Sequence, residues 1–215
     1  MQLALFDLDG TITRRDSFVP YARGFLARHP RYLGRLWRVP VPLAGYLTNG
    51  GDRGRLKEAL IVGLFRRVER SVLDLWTDAF VDALLEHGMR AQALAKIRQH
   101  RTQGDRLILL SASPDIYVNR IGARLGFDET VATGVRWDGD RLDGHLTTPN
   151  RRGEEKARCL DDLRRRHAGM RVIAYGNSDA DFAHLTHADE GWLVSDSSRL
   201  IRRAARLGLQ TCSWY

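Results

Sequence analysis

Short, mainly apolar runs that end at polar or glycine residues recur along this chain. Uninterrupted runs of this length are typical of strands that are buried on both faces of a parallel sheet. Four of them stand at residues 2–6, 106–110, 170–175 and 190–194. The second run ends at Ser111, and we predict that its strand stops there.

Helical patterns fill the intervals between these runs. Residues 17–88 are predicted to be mostly helical, interrupted at Gly50-Gly51, and their apolar stripe includes Leu56, Leu60, Leu64 and Val68. Further helices are predicted at residues 90–101, 154–167 and 198–207. Residues 130–147 favour a pair of strands joined by a turn at residues 138–140. Strands that alternate with helices predict an α/β fold, in which an open, mainly parallel sheet carries helices on both faces.

Composition agrees with a folded globular protein. Of the 215 residues, 43% are hydrophobic and 28% are charged, which suffices for one core with a small insertion. The formal net charge is +8 and the sequence pI is about 10.1, so anionic partners such as phosphate esters are favoured. No segment resembles a zinc finger or an RNA-binding motif, and no nucleic acid partner is expected.

Two features bear on the cellular location. Cys159 and Cys212 lie far apart without the spacing of a metal or redox site, which favours a reducing compartment. Met1 leads directly into the first apolar run without the pattern of a signal peptide. The apolar run at residues 39–44 is too short and too rich in proline to span a bilayer. We therefore expect a cytoplasmic protein.

Two carboxylates follow the first predicted strand, in the order Asp7-Leu8-Asp9-Gly10-Thr11. Gly10 permits the backbone to turn there, so that both carboxylates can face one site. Asp7 could then attack phosphorus, while Asp9 protonates the leaving alcohol and later deprotonates water. Acidic pairs of this kind also cap helices and form turns, so the pair alone does not define a site.

Three further reactive groups follow in order along the chain. They are a hydroxyl after the second strand, a lysine near the start of a helix and an acidic cluster after the third strand, namely Ser111, Lys156 and Asp181. With Asp7 and Asp9 in front of them, the sequence resembles the haloacid dehalogenase superfamily, in the branch of phosphoserine phosphatase-like enzymes. The resemblance covers essentially the whole chain.

The four motifs of that superfamily can be matched residue by residue, with one departure. The matches are Asp7, Asp9, Gly10 and Thr11; Ser111 with Ala112 and Ser113 after it; Lys156; and Gly176 with Asp181. Asn177 stands where an aspartate is usual, and it offers a neutral carbonyl oxygen in place of a carboxylate. Either Asn177 still binds metal, or Asp179 or Asp181 takes its place, or metal affinity is weaker.

The resemblance implies a Rossmann-like three-layer αβα core with a small helical cap inserted after the first strand. The core would comprise residues 1–15 and 89–215, and the cap residues 16–88. Mg²⁺, a hard ion that bridges carboxylates and phosphate, is the implied cofactor. Its implied ligands are the side chain of Asp7, the backbone carbonyl of Asp9, and Asn177 or Asp181 from the fourth motif.

The remaining matched residues have roles in this scheme. Ser111 and the backbone N–H of Ala112 would hold the phosphoryl oxygens, with Ser113 beside them. Lys156 would offset the negative charge of the nucleophile and the phosphoryl group. Gly10 and Thr11 would shape the turn that receives the phosphate.

Two segments of the predicted cap bear on the substrate. Asp16 matches a position where phosphoserine phosphatases carry an acidic residue that meets the substrate amine, although Asp16-Ser17 could equally cap the next helix. Residues 28–38 interleave basic and aromatic side chains, a composition that suits peripheral contact with anionic membrane lipid. The same composition is typical of an amphipathic helix whose tryptophan packs inward while its arginines stay in water.

We expect Mg²⁺-dependent hydrolysis of a phosphate monoester, carried by a small metabolite or a lipid head group, through an aspartyl-phosphate on Asp7. Two alternatives remain. Asn177 favours a catalytically weak phosphate-binding regulator, and a phosphotransferase would use the same intermediate. Dehalogenation is disfavoured because a halide leaving group does not need the proton that Asp9 supplies.

Overall fold

The main sheet contains six strands, and each neighbouring pair runs parallel. The computed structural model describes residues 1–48 and 51–214. The strands are β1 (Leu3–Phe6), β2 (Arg106–Pro114), β3 (Glu129–Thr133), β4 (Val135–Asp138), β5 (Arg141–Leu146), β6 (Val172–Gly176), β7 (Glu190–Val194) and β8 (Gln210–Cys212). The order in the main sheet is β3-β2-β1-β6-β7-β8, while β4 and β5 form a separate antiparallel hairpin.

Helices occupy the connections between the strands. They are α1 (Phe18–Arg28), α2 (Pro40–Thr48), α3 (Arg53–Phe65), α4 (Arg70–His87), α5 (Ala91–Thr102), α6 (Asp115–Leu125), α7 (Glu154–Arg166), α8 (Phe182–His187) and α9 (Ser198–Arg206). A 3₁₀ segment, Pro30–Arg38, lies between α1 and α2.

Both faces of the sheet are buried, because alternate residues of a strand point in opposite directions. Leu3 and Leu5 of β1 share a buried cluster with Leu160 of α7. Phe6, on the opposite face, belongs to a second cluster that includes Ile97 of α5. The three-layer αβα core with its parallel sheet is therefore confirmed.

The structure confirms most predicted elements, corrects two and adds three. β2 does not stop at Ser111, since its pairing with β3 shifts register and resumes where Pro114 meets Thr133. Residues 129–133 leave the predicted strand pair and join the main sheet, so the hairpin consists of β4 and β5 alone. β8, α6 and α8 were not predicted. β8 is a three-residue edge strand without an apolar run.

The helical region between β1 and α5 was correctly predicted, and it forms the cap of the fold. It contains α1 to α4 and the 3₁₀ segment. Gly50, one of the two predicted breaks, lies outside the described residues. No helix in the described ranges is both long and apolar enough to cross a membrane.

The two connections that join the cap to the core run side by side. Thr13 pairs antiparallel with Met89, and the backbone N–H of Arg90 donates to the carbonyl of Ile12 at 2.9 Å. These contacts fall beside the proposed boundaries at residues 15 and 89, which stay a prediction. The cap therefore begins and ends at one place on the core.

Candidate active site

The turn after β1 brings Asp7 and Asn177 to a common hydroxyl. The hydroxyl oxygen of Thr11 lies 2.9 Å from Oδ2 of Asp7 and 3.3 Å from Oδ1 of Asn177. Gly10 has a φ of +82°, and a Cβ added there would lie 2.2 Å from Nδ2 of Asn177. A residue without a side chain is therefore needed at Gly10 both for the turn and for the place of Asn177.

Lys156 forms a buried ion-pair triad with Asp7 and Asp181. Its Nζ lies 2.5 Å from Oδ1 of Asp7 and 2.6 Å from Oδ1 of Asp181. The three side chains are at most 8% exposed. The sequence placed Lys156 near the start of a helix, and it occupies the first turn of α7. From there its side chain reaches Asp7, which follows β1, and Asp181, which lies after β6.

The electrostatics of this triad differ between its two carboxylates. Burial raises the pKa of Asp7 to about 7, against the opposing charge of Lys156. Burial acts in the same direction on Asp181, but the Lys156 ammonium holds the pKa of Asp181 below its usual range. Two buried carboxylates therefore share one ammonium, and burial opposes the charged form of both.

Asp9 faces the cap on the other side of the turn. Its Oδ1 accepts the backbone N–H of Ser17 at 2.8 Å, and its Oδ2 accepts the Ser113 hydroxyl at 2.5 Å. Burial raises the pKa of Asp9, and the hydrogen bonds from Ser113 and Ser17 oppose that rise. A carboxyl group held in this way is suited to give a proton to a leaving group and to take one from water.

The second motif supports this arrangement from the end of β2. Ser111 is fully buried, and its hydroxyl oxygen accepts the backbone N–H of Ser113 at 3.0 Å. Ala112 and Ser113 line the cavity in front of Asp7 and Asp9. The structure thus places Ser111 where it orients Ser113; direct contact of Ser111 and Ala112 with phosphate stays a prediction.

The fourth motif is the loop after β6, and hydrogen bonds to Asp181 stabilise it. Oδ2 of Asp181 accepts the backbone N–H groups of Asn177 and Ser178 at 3.2 and 3.0 Å and the Ser178 hydroxyl at 2.7 Å. A Cβ on Gly176 would lie 2.6 Å from Cβ of Asp181, so this loop also needs its glycine. Asp181 therefore positions both the Asn177 loop and Lys156, and its role as a direct metal ligand stays a prediction.

The donor set beside Asp7 fits a hard divalent cation such as Mg²⁺. Within the described ranges, no three His, Cys, Asp or Glu side chains are grouped as a metal site. The oxygen atoms of Asp7 and Asn177 nevertheless converge on the Thr11 hydroxyl, and Mg²⁺ accepts carboxylate, amide and backbone oxygens. Asp7 and Asp181 share the single ammonium of Lys156, and this excess of negative charge gives such a cation a physical reason to bind there.

A cavity of about 550 Å³ connects these groups to the cap. Asp16 lines it and also accepts the backbone N–H of Val19 at 3.2 Å. Asp16 thus accepts a hydrogen bond from the first turn of α1, while Ser17 is the N-cap residue and makes no side-chain cap bond. Contact of Asp16 with a substrate amine stays a prediction.

Sequence analysis missed four cationic residues of this cavity, namely Arg15, Arg53, Lys57 and Arg152. Lys57 extends from α3, and its Nζ lies 2.8 Å from Oδ1 of Asn150. Burial lowers the pKa of Lys57 to about 8. Lys57 stands one place after Leu56 of the apolar stripe, and no motif distinguishes it from a surface lysine.

Known proteins resemble this chain in sequence and in fold. The profile of the haloacid dehalogenase-like hydrolases matches residues 4–186. Protein CicA of Caulobacter vibrioides is 30% identical over 189 residues, which cover 87% of this chain and 83% of CicA. A protein of unknown function from Bordetella pertussis Tohama I superposes with a TM-score of 0.81 at 23% identity, covering 99% of this chain and 98% of its own.

A phospho-aspartyl intermediate analogue of phosphoserine phosphatase superposes with a TM-score of 0.67 at 15% identity, over 100% of this chain and 93% of that one. The likenesses to the Bordetella protein and to phosphoserine phosphatase show the fold alone. The family profile includes every residue of the triad. The chain belongs to the haloacid dehalogenase-like hydrolase family, as its motifs predicted, and it has the fold of the phosphoserine phosphatases.

Proposed function

We propose that this protein is a Mg²⁺-dependent phosphomonoesterase that forms an aspartyl-phosphate on Asp7. The buried contact of Lys156 with Asp7 carries the proposal. It fixes one carboxylate oxygen behind an open cavity, while Asp9 is held by different partners on the other side. A nucleophile and a separate proton donor are the two groups that this chemistry needs.

The reaction would proceed in two balanced steps. In the first, a carboxylate oxygen of Asp7 forms a bond to phosphorus, the ester P–O bond breaks, and Asp9 gives its proton to the leaving alcohol. In the second, Asp9 takes a proton from water, whose oxygen bonds to phosphorus. The bond between Asp7 and phosphorus then breaks and inorganic phosphate leaves.

Charge neutralisation would be divided among the residues around the phosphoryl group. Lys156 holds Asp7 in place and offsets its charge, and Lys57 adds a second cation from the cap. Asp7, Asn177 and the backbone carbonyl of Asp9 would hold Mg²⁺. When bound, this ion stabilises the negative charge that develops on the phosphoryl oxygens.

The substrate class is a small phosphate monoester, either a metabolite or a lipid head group. The cationic lining by Arg53, Lys57 and Arg152 supports an anionic substrate. Phosphoserine phosphatase, whose fold this chain shares, offers an analogy for the chemistry and not for the substrate. A cytoplasmic location stays a prediction.

Hydrolysis of an aryl phosphate, with and without Mg²⁺, tests the proposal. We expect wild-type turnover to need Mg²⁺, and Asp7→Asn and Asp9→Asn to lose at least about 10³-fold and 10²-fold in kcat, respectively. Asp138→Asn, an exposed aspartate in the hairpin, is the matched control and should retain full activity. Full activity of Asp7→Asn would overturn the proposal.

The two alternatives differ in the fate of the phosphoryl group. A regulator would bind inorganic phosphate without turnover, and the neutral side chain of Asn177 favours it. A phosphotransferase would pass the phosphoryl group to an added alcohol in preference to water. Release of free phosphate at the rate of substrate loss excludes both.

A further inference from the structure

A second cavity, of about 410 Å³, opens within the cap beside the catalytic cavity, and we call it the apolar groove. Its lining consists of Phe18, Val19, Ala22, Arg23, Leu26, Ala27, Leu33, Leu36, Val39, Leu60 and Leu64. Among these residues, all from the described part of the chain, Arg23 alone is charged. The groove therefore has few groups that could hydrogen-bond to a polar ligand, and its apolar lining favours a hydrocarbon.

The apolar groove adjoins the catalytic cavity, the 550 Å³ cavity that Asp7 and Asp9 line. Phe18, Val19 and Leu60 line both. Phe18 directly follows Ser17, whose backbone N–H is bonded to Asp9. The segment that contacts Asp9 therefore leads directly into a residue that lines the groove.

The walls of the groove are open to water. Val19 is 64% exposed, Leu33 is 45% exposed and Leu36 is 47% exposed. Scattered apolar residues on a surface need no explanation, but a continuous apolar groove beside a reactive site is typical of a binding site. A chain that fills the groove would remove these side chains from water.

We propose that the apolar groove holds the hydrocarbon chain of the substrate, so that the enzyme acts on phosphate monoesters of long-chain or acylated alcohols. This inference rests on the proposed function for the position of the phosphate. The cationic cavity binds the phosphate, and the leaving oxygen at Asp9 continues into the chain. The two cavities together match an amphiphile with one anionic end.

A series of alkyl phosphates tests the inference. Ethyl, butyl and octyl phosphate are compared at concentrations where each is monomeric. Each methylene buried from water is worth up to about fourfold in binding, so kcat/KM should rise at least about 100-fold from ethyl to octyl phosphate. An equal kcat/KM for all three esters would overturn the inference and leave the proposed function intact.

Variants of groove residues test whether the hydrocarbon chain of the substrate binds there. Leu36→Glu and Ala27→Glu place a carboxylate in the groove at exposed positions, so that one can replace the other if a variant fails to fold. Each should lower the ratio of octyl to ethyl kcat/KM at least about tenfold. Leu75→Glu makes the same change at a residue of α4 that is 75% exposed and outside the groove, and it should keep the wild-type ratio. An unchanged ratio in both groove variants would overturn the inference.

Alkylphosphonates, whose C–P bond is not hydrolysed, separate binding from turnover. Calorimetry should show tighter binding of octylphosphonate than of ethylphosphonate, and loss of that preference in the groove variants. Chain-dependent binding without hydrolysis of any ester would support the groove and overturn the proposed function. If binding is independent of the length of the alkyl chain, the inference that the groove holds this chain is wrong.

Discussion

Lys57 of the cap donates a hydrogen bond to the backbone carbonyl of Ala112 at the end of β2, with 2.5 Å between nitrogen and oxygen. The same ammonium lies 2.8 Å from Oδ1 of Asn150. One cap side chain thus bridges two segments of the core that line the catalytic cavity. The helix that carries Lys57, α3, also contacts the hairpin of β4 and β5, because Glu58 Oε1 lies 2.8 Å from His145 Nδ1.

The first prediction concerns the pH dependence of substrate binding. Because burial lowers the pKa of Lys57 to about 8, the residue loses its charge as pH rises through that value. KM for an aryl phosphate should then increase up to about tenfold between pH 7 and pH 9. The loss of one charge-assisted hydrogen bond to the substrate weakens binding by about this factor. Lys57→Arg, which stays charged, should keep KM constant over this range. An equal increase in both proteins would contradict the assignment.

The second prediction concerns the cost of a buried nucleophile. The pKa of Asp7 is about 7 in the folded protein against a usual value of 3.8, so the folded state binds the extra proton between these values. The contribution of Asp7 to the stability of the metal-free protein should therefore be full below about pH 4 and fall as pH rises towards 7. Asp7→Asn should remove this fall and be more stable by about 1–3 kcal/mol at pH 7.5.

Urea unfolding in the presence of a chelator, at pH 5 and pH 7.5, measures this difference. Asp138→Asn is again the matched control and should follow the wild type. Asp7→Asn that is less stable than the wild type at pH 7.5 would show that the contact with Lys156 outweighs the burial of the charge.

The third prediction concerns the metal. Asn177→Asp should retain or tighten Mg²⁺ binding because it restores a carboxylate beside Asp7, whereas Asn177→Ala should weaken it about 10-fold to 100-fold. The Mg²⁺ concentration that gives half-maximal activity measures the change, and so does the rise of Tm on adding Mg²⁺. Asn177→Asp with a weaker magnesium dependence than Asn177→Ala would be the contrary result.

The fourth prediction concerns peripheral contact with anionic membrane lipid. Trp37 does not pack inward as an amphipathic cap helix would require, since it is 72% exposed, and the Arg38 guanidinium lies 5.6 Å from its ring centre. Liposomes that contain anionic lipid should sediment the protein at low salt and release it at high salt. Trp37→Glu should reduce the bound fraction several-fold. No sedimentation of the wild type at low salt would end this hypothesis.

Local sequence determined the elements that approach the site. The apolar runs of β1 and β6 give strands because both of their faces are buried, and their ends carry Asp7 and Asn177. The order of the motifs was sufficient to predict the family and the meeting of Asp7 with Lys156. Gly10 was predicted as the position of a turn, and it has that role.

Tertiary structure alone decided what surrounds these residues. Asp181 holds Lys156 and the Asn177 loop at once, and Ser113 bonds to Asp9 across 104 positions of sequence. The edge strands β3 and β8 lack apolar runs, so their pairing depends on a neighbour that only the folded sheet supplies.

The sequence by itself therefore determined the carboxylates of the candidate site, the parallel core and the family, because apolar runs and the order of motifs can be read along the chain. Tertiary structure decided the lining of the cavity beside them. Lys57 and most of the apolar groove belong to cap segments that are distant in sequence from Asp7. A periodic pattern predicts which residues share one face of a helix, but it does not predict which other residues pack against that face.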